Sequence, residues 1–171
     1  MAILQGEIQF RLSHASSAAS TDPNASLGGI RTNTSIASDT TQNLFDNVSG
    51  SESAAGRVEY RCFWVYNTNG TSTLVNARIW FATLTTSPDD EVDMGLGTTA
   101  VGTSTTEPTV GTEISAPASV TFTRPLSGTP ITIGDIPAGQ QKAVWIRRTV
   151  NAGGGAQSGN TFSWSVEGES T

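Results

Sequence analysis

Glu59-Tyr-Arg-Cys-Phe-Trp-Val-Tyr66, which runs directly into the turn sequence Asn67-Thr-Asn-Gly-Thr71, decides the fold of this chain. A run of aromatic and β-branched residues beside a turn is typical of an antiparallel sheet. A second such run, Gln140-Gln-Lys-Ala-Val-Trp-Ile-Arg-Arg-Thr149, follows the turn Ile136-Pro-Ala-Gly139. The two runs predict two central strands, and neither carries residues with an evident catalytic role.

The first run alternates in a way that assigns its two faces. Tyr60, Cys62 and Trp64 fall on one face of a period-2 strand, whereas Phe63 and Val65 fall on the other. Because both faces are apolar over part of the length, we expect this strand to be covered on both sides.

Weaker patterns of the same kind complete an all-β fold. We predict further strands at 7–12, 77–84, 92–96, 120–123, 131–133 and 161–166. The Asn67–Thr71 turn joins two neighbouring runs and predicts a β-hairpin between them. Seven or eight short antiparallel strands favour a two-sheet β-sandwich over a closed barrel.

Large apolar side chains on these strands form the predicted core. The core residues are Tyr60, Cys62, Trp64, Ile79, Phe81, Trp145, Phe162, Trp164 and Val166. Each of the four tryptophans, Trp80 included, lies on its own strand, so we expect them to pack inside the sandwich. A sugar-stacking platform is the alternative, but such aromatic residues more often lie on loops.

The first third of the chain differs from the remainder. Residues 1–56 hold one alternating stretch and then a long polar segment, so we interpret them as an N-terminal strand followed by an extended arm or loop. Residues 57–171 form the predicted sandwich domain. Two apolar islands, Leu27–Ile30 and Leu44–Val48, would anchor the arm to the domain or to a neighbouring subunit.

The charge balance argues against nucleic acid as a partner. Only 14% of residues are charged, the net charge is −6, and the isoelectric point is near 4.6. Nucleic-acid binders usually present a basic stripe. The N-terminus lacks the basic and apolar regions of a secretory signal, and no apolar run is long enough for a membrane span, so we expect a product made in the cytoplasm.

Residue types that carry chemistry are scarce. Cys62, His14 and Lys142 are single in the sequence, so no thiolate metal site, intramolecular disulfide or His-based constellation is available. The acidic run 89–91, with Asp93 beside it, lacks the spacing of a calcium loop and favours a solvated turn. We therefore expect no catalytic residue, no metal and no cofactor.

One set of motifs resembles the immunoglobulin-like modules of bacterial and phage surface proteins. These motifs are Asn67-Thr-Asn-Gly-Thr71 with Asn76-Ala-Arg-Ile-Trp80, and the turn Gly134-Asp-Ile-Pro-Ala-Gly139 before Ala143-Val-Trp-Ile146. The resemblance implies an immunoglobulin-like sandwich.

A second set resembles a group of tailed-bacteriophage virion structural proteins. It comprises Leu44-Phe-Asp-Asn-Val-Ser-Gly-Ser-Glu52, Glu59-Tyr-Arg-Cys62 and Val144-Trp-Ile-Arg-Arg-Thr-Val150, within a similarity over about residues 27–168. This resemblance implies a non-enzymatic virion component. We favour a capsid decoration protein that binds the major capsid protein lattice from outside and forms a homotrimer.

On that interpretation, basic and apolar residues of the arm region and one strand end would contact the capsid or a neighbouring subunit. They are Arg11, Leu27, Ile30, Arg31, Leu44, Phe45, Arg57 and Arg148. A tail, neck or baseplate component is an alternative location. A carbohydrate- or receptor-binding module is the alternative function, with the loops at 97–118 and 151–160 as its candidate binding sites.

Overall fold

Two antiparallel sheets make up the protein. The computed structural model describes residues 2–155, 157 and 159–171. Within these residues the strands are β1 Ile8–His14, β2 Ile30–Ser35, β3 Arg57–Asn67, β4 Leu74–Thr83, β5 Asp90–Leu96, β6 Ile131–Ile136, β7 Gln141–Val150 and β8 Ser163–Ser170. One α-helix, α1 Gly50–Ala55, and two 3-10 turns, Gln5–Glu7 and Pro23–Ala25, lie between strands.

The strand order gives a β-sandwich. One sheet has the order β2-β1-β3-β7-β5 and the other the order β6-β4-β8, and all pairings are antiparallel. The predicted all-β sandwich is therefore confirmed, with eight strands. Among the described residues, no helix has the length and apolar character needed to cross a bilayer.

The two central strands are β3 and β7, as predicted, and their register fixes the two faces of the larger sheet. Phe63 pairs with Val144, and Cys62 pairs with Trp145. The odd-numbered apolar residues of β3 pack into the core between the sheets. The even-numbered ones form a second apolar cluster on the outer face with Ala143 and Trp145. Both faces are covered, as the sequence pattern predicted.

The predicted hairpin between β3 and β4 is wrong, because these strands belong to different sheets. The connection is an arch held by buried amides. Asn67 Nδ2 donates to the carbonyls of Ser72 and Ile136, both at 2.9 Å. Asn69 Oδ1 accepts from the backbone N–H groups of Thr71 and Ser72. These side chains satisfy the backbone of the arch, so the chain can leave one sheet without an inter-strand ladder.

Residues 2–56 are integrated into the sandwich and do not extend from it as an arm. Strand β1 lies between β2 and β3 in the larger sheet. Leu44 and Phe45 are buried in the core between the sheets. Helix α1 begins at a capping box in which Ser49 and Glu52 exchange hydrogen bonds.

Most predicted core residues are buried, and two groups need comment. Phe162, Trp164 and Val166 on and beside β8 are only partly buried and pack against the core from the edge of the smaller sheet. Trp80 does not join the core: it is only partly buried on β4, between the buried residues Ile79 and Phe81. The predicted strand at 120–123 is also wrong, since it contributes a single bridge, Thr123 with Met94.

Candidate functional site

The outer face of the five-stranded sheet is mostly hidden under one long segment. Residues 97–125 cross this face and pack Val110, Val120 and Phe122 against the outer apolar cluster. Phe122 contacts Tyr60 with ring centroids 5.5 Å apart. The predicted ligand-binding loop at 97–118 lies within this covering segment. This long loop is therefore ordered by packing on its own chain.

One buried carboxylate anchors the covering segment. Glu107 is 1% exposed, and its Oε1 accepts from Trp145 Nε1 at 3.1 Å and from the Thr98 N–H at 2.9 Å. Its Oε2 accepts from the Thr99 N–H at 3.0 Å. Three donors thus satisfy a charge that would otherwise be costly to bury.

Lys142 holds the start of the same segment. Its Nζ donates to the carbonyls of Gly97 at 2.8 Å and Thr99 at 2.5 Å. Burial lowers the pKa of Lys142, and the negative charge of Glu107 offsets this only in part. The only lysine of the chain is therefore a structural anchor for the segment.

Beside residues 102–105 of the covering segment, one corner of the outer face remains open. We call it the arginine corner, and it consists of Gln9, Arg11, Arg31, Tyr66 and Gln141. The Arg31 guanidinium carbon lies 3.8 Å from the Tyr66 ring centroid, and Arg31 Nε donates to Gln141 Oε1 at 2.5 Å. Arg11 donates to Gln9 Oε1 and to the carbonyl of Asn33.

The two arginines of this corner lack a carboxylate partner. Of the eight arginines in the sequence, six form ion pairs within 4.0 Å, and among the described residues Arg11 and Arg31 form none. Burial lowers the pKa of Arg31, Tyr66 counteracts this, and the neighbouring charge of Arg11 adds to the lowering. The corner is therefore a positive site on an acidic protein.

A small cavity opens beside Arg31. It has a volume of about 210 Å³ and is lined by Ile30, Arg31, Thr103, Ser104, Thr105 and Gln141. The hydroxyl of Thr105 is buried and has no hydrogen-bond partner among the described residues. The cavity therefore combines a guanidinium, an amide and three hydroxyl side chains with one apolar wall.

At the opposite end of the sheet, arginines and carboxylates form an ion-pair cluster. Its members are Arg57, Arg61, Arg148, Asp46, Glu52, Glu59 and Glu113. Asp46, Glu59 and Glu113 offer ligand atoms within 4.8 Å of one another, which is a spacing that a metal ion could use. Each of these carboxylates already pairs with a guanidinium. The cluster thus supplies its own cations and joins β3, β7 and the covering segment.

The predicted interface residues lie in four different places in the structure. Arg11, Arg31 and Ile30 meet at the arginine corner and its cavity. Arg57 and Arg148 belong to the ion-pair cluster, where Arg148 is 6% exposed and pairs with Glu59. The core positions of Leu44 and Phe45 leave them little surface for a partner. Leu27 is partly buried, and its carbonyl accepts from Val110 N–H.

Other predicted features have local roles. His14 Nδ1 accepts from the N–H groups of Ser16 and Ser17 and so caps the turn after β1. The acidic turn is less solvated than predicted, since Glu91 and Asp93 both pair with Arg124. The second candidate loop, 151–160, includes residues 156 and 158, which lie outside the described part of the chain.

Sequence reasoning missed Glu107, Glu113 and Gln141, because each lies in a segment or at a strand end with no apolar periodicity. The one available signal was compositional, since a lone lysine within an apolar strand points to a specific partner for its charge.

Comparison with family models, with curated proteins and with solved structures finds no match to this chain.

Proposed function

We propose that this chain is a non-enzymatic structural protein of a tailed-bacteriophage virion that decorates the capsid. It binds the outer surface of the major capsid protein lattice and stabilises the assembled shell, since a protein that binds only the assembled state favours that state by mass action. The family part of this proposal rests on the sequence resemblance, and its location on the virion rests on the arrangement of charge.

The observation that supports the binding role is that Arg11 and Arg31 form no ion pair within the described part of the chain. Six arginines are neutralised within the chain, whereas these two meet at an open corner. Placing two like charges together without a carboxylate favours an external anionic partner. An acidic patch on a capsid protein would be such a partner.

A rigid interior agrees with a structural role. Phe63 is fully buried between the sheets, and Trp64 and Trp145 are fully buried under the covering segment. The buried carboxylate and ammonium groups are held by hydrogen bonds. Cys62 is buried at the centre of the larger sheet, and burial raises the pKa of its thiol well above its ordinary value. These groups support the sandwich and are poorly placed for catalysis.

The test is binding of the purified chain to empty capsids of the phage that encodes it. We expect co-sedimentation with the capsids and density for the chain on the outer shell of a virion reconstruction. The double variant Arg11→Gln, Arg31→Gln should weaken binding at least about tenfold, which is about 1.4 kcal/mol. Arg78→Gln is the matched control, because Arg78 is half-exposed and already paired with Glu167 at 2.9 Å.

Density in the tail, neck or baseplate would replace capsid decoration with one of those locations, and absence from the virion would overturn the proposal. The reconstruction also tests the proposed trimer through the symmetry of the density.

A carbohydrate- or receptor-binding module is the second candidate, and Trp80 favours it. This indole is only partly buried and lies on β4 next to the exposed Arg78–Glu167 pair. Aromatic faces stack on sugars, and a sheet face can present one. Retention by a host glycan that Trp80→Ala abolishes, without affinity for capsids, would establish this function in place of decoration.

A further inference from the structure

We propose that the cavity beside Arg31 binds the carboxylate of an acidic residue from a partner protein. This inference rests on the proposed function, because it specifies the contact by which the chain would hold its partner. It names Arg31 as the charged group of the site, with Thr105 and Gln141 as its polar walls.

The donors that remain free at Arg31 define the chemistry of the ligand. Its Nε is occupied by Gln141 Oε1 at 2.5 Å, and its Nη1 donates to the Thr32 carbonyl at 3.4 Å. Its Nη2 has no hydrogen-bond partner among the described residues. A guanidinium held in place on one side and open on the other is prepared to donate to an oxyanion.

The position of Arg31 is fixed before any ligand arrives. Its guanidinium stacks over the Tyr66 ring, and Gln141 itself is 2% exposed and donates to the Thr105 carbonyl at 3.4 Å. An arginine ordered in this way loses little side-chain entropy on binding, which raises affinity for a given set of contacts.

The cavity wall supplies the second, independent indication of a ligand. The Thr105 hydroxyl is buried without a partner, and a buried hydroxyl without a hydrogen bond costs free energy. Thr105 lines the cavity, so a carboxylate bound to Arg31 would accept from this hydroxyl once the Thr105 side chain turns toward it. The volume of about 210 Å³ admits the end of an Asp or Glu side chain together with water.

The charge of the protein selects a carboxylate over a phosphate-rich ligand. A net charge of −6 repels polyanions at long range, and the cavity itself contains one guanidinium. A single carboxylate needs one such partner, whereas phosphate-rich ligands are usually held by several basic groups. The ligand class is therefore a single carboxylate, which one acidic residue of a partner protein would supply.

The test is titration of the full chain with the capped peptide acetyl-Gly-Gly-Glu-Gly-Gly-amide, which carries one carboxylate, followed by NMR chemical shifts or calorimetry. We expect the shifts to centre on Arg31, Thr105 and Gln141. Arg31→Gln should weaken binding at least about tenfold, and Arg78→Gln should change it less than about twofold. The same capped peptide with Gln in place of Glu, which has the same length without charge, should not bind.

Two further variants keep the test decisive if Arg31→Gln fails to fold. Thr105→Val retains both arginines and should weaken binding severalfold, because it removes one donor from the cavity. Arg31→Lys keeps the charge but loses the planar fork, and should also bind less tightly than wild type. Wild-type affinity in both variants would overturn the proposal.

Glutarate and inorganic phosphate, titrated separately, distinguish the ligand class, and tighter binding of phosphate would overturn the carboxylate assignment. The peptide experiment uses no capsid, so its outcome is separate from that of the capsid experiment. Peptide binding without capsid binding would support this site and reject capsid decoration. Capsid binding that Arg31→Gln leaves intact would support decoration and reject this site as the contact.

Discussion

Glu107 and Trp145 are both fully buried, and the indole Nε1 of Trp145 donates to the carboxylate of Glu107 at 3.1 Å. This hydrogen bond joins the covering segment to the centre of β7. It explains how a segment rich in Gly, Thr and Ser keeps one position on an apolar sheet face. Apolar contacts are not directional, so they alone would not fix that position. The same carboxylate orders the backbone of Thr98 and Thr99.

Glu107→Ala should destabilise the protein by about 3 kcal/mol, because it leaves the buried Trp145 N–H and two backbone N–H groups without acceptors. Urea denaturation followed by tryptophan fluorescence measures this change. Glu167→Ala, which breaks a half-exposed ion pair with Arg78, should cost less than about 1 kcal/mol. Equal effects of the two variants would contradict the anchoring role of Glu107.

Asn67→Ala should destabilise by about 2 kcal/mol, because Asn67 Nδ2 satisfies the carbonyls of both Ser72 and Ile136 inside the arch. Thermal unfolding measures the loss. Asn43→Ala is a suitable control, since Asn43 Nδ2 donates to a single exposed carbonyl, that of Ala37. We expect the control to stay within about 0.5 kcal/mol of wild type.

Stability should fall in acid through Glu113. Burial raises its pKa, but hydrogen bonds and attraction from Arg61 and Arg57 outweigh burial, so the pKa lies below the ordinary 4.5. The unfolded state therefore binds a proton more readily than the folded state. The contribution of Glu113 to the free energy of unfolding is complete above pH 4.5, and it is lost as the pH falls through the folded pKa.

Glu113→Gln should therefore destabilise by about 2 kcal/mol at neutral pH, since it leaves the buried Arg61 short of a counter-charge. The gap between variant and wild type should close below pH 4.5, as urea denaturation across a pH series would show. A gap that stays constant down to acid pH would contradict this assignment.

Gly29→Ala should be among the most damaging small substitutions. Gly29 has φ +87°, and a Cβ there would lie 2.2 Å from the His14 carbonyl oxygen at the start of the β1–β2 pairing. We expect the free energy of unfolding to fall by more than about 2 kcal/mol, or the variant to fail to fold. Gly128→Ala meets no atom within 4 Å and should leave the midpoint of thermal unfolding nearly unchanged.

The Cys62 thiol should react with a disulfide reagent only through unfolding. It is 0% exposed, and burial raises its pKa well above the ordinary value. At mildly alkaline pH, the reaction of Cys62, followed by the thiol that the reagent releases, should be slow in native buffer. In denaturant the same reaction should be immediate. Fast labelling of the folded protein would contradict the burial of β3.

The alternation within β3 was enough to predict the strand and its coverage on two faces. Side-chain direction in a strand has a period of two, so Phe63 and Trp64 must point to opposite sides whatever the remainder of the chain does. The same rule identified β7 and the inward residues of β8. The resemblance to virion proteins and the basic residues of the arm region, not this rule, suggested Arg11 and Arg31 as partner contacts, and they gave no reason to prefer these two to Arg57 or Arg148.

The amino-acid sequence by itself determined which segments are extended and which side chains need burial, because those properties depend on neighbouring residues. Only the tertiary structure decided that β4 leaves the sheet of β3, that Glu107 reaches Trp145, and that Arg11 and Arg31 meet with no carboxylate of the described residues paired to them. Each of these is a relationship between segments far apart in the chain, and many pairings satisfy the same local pattern. The pairing adopted is the one that closes two apolar faces at once while giving each buried charge of the described residues a partner.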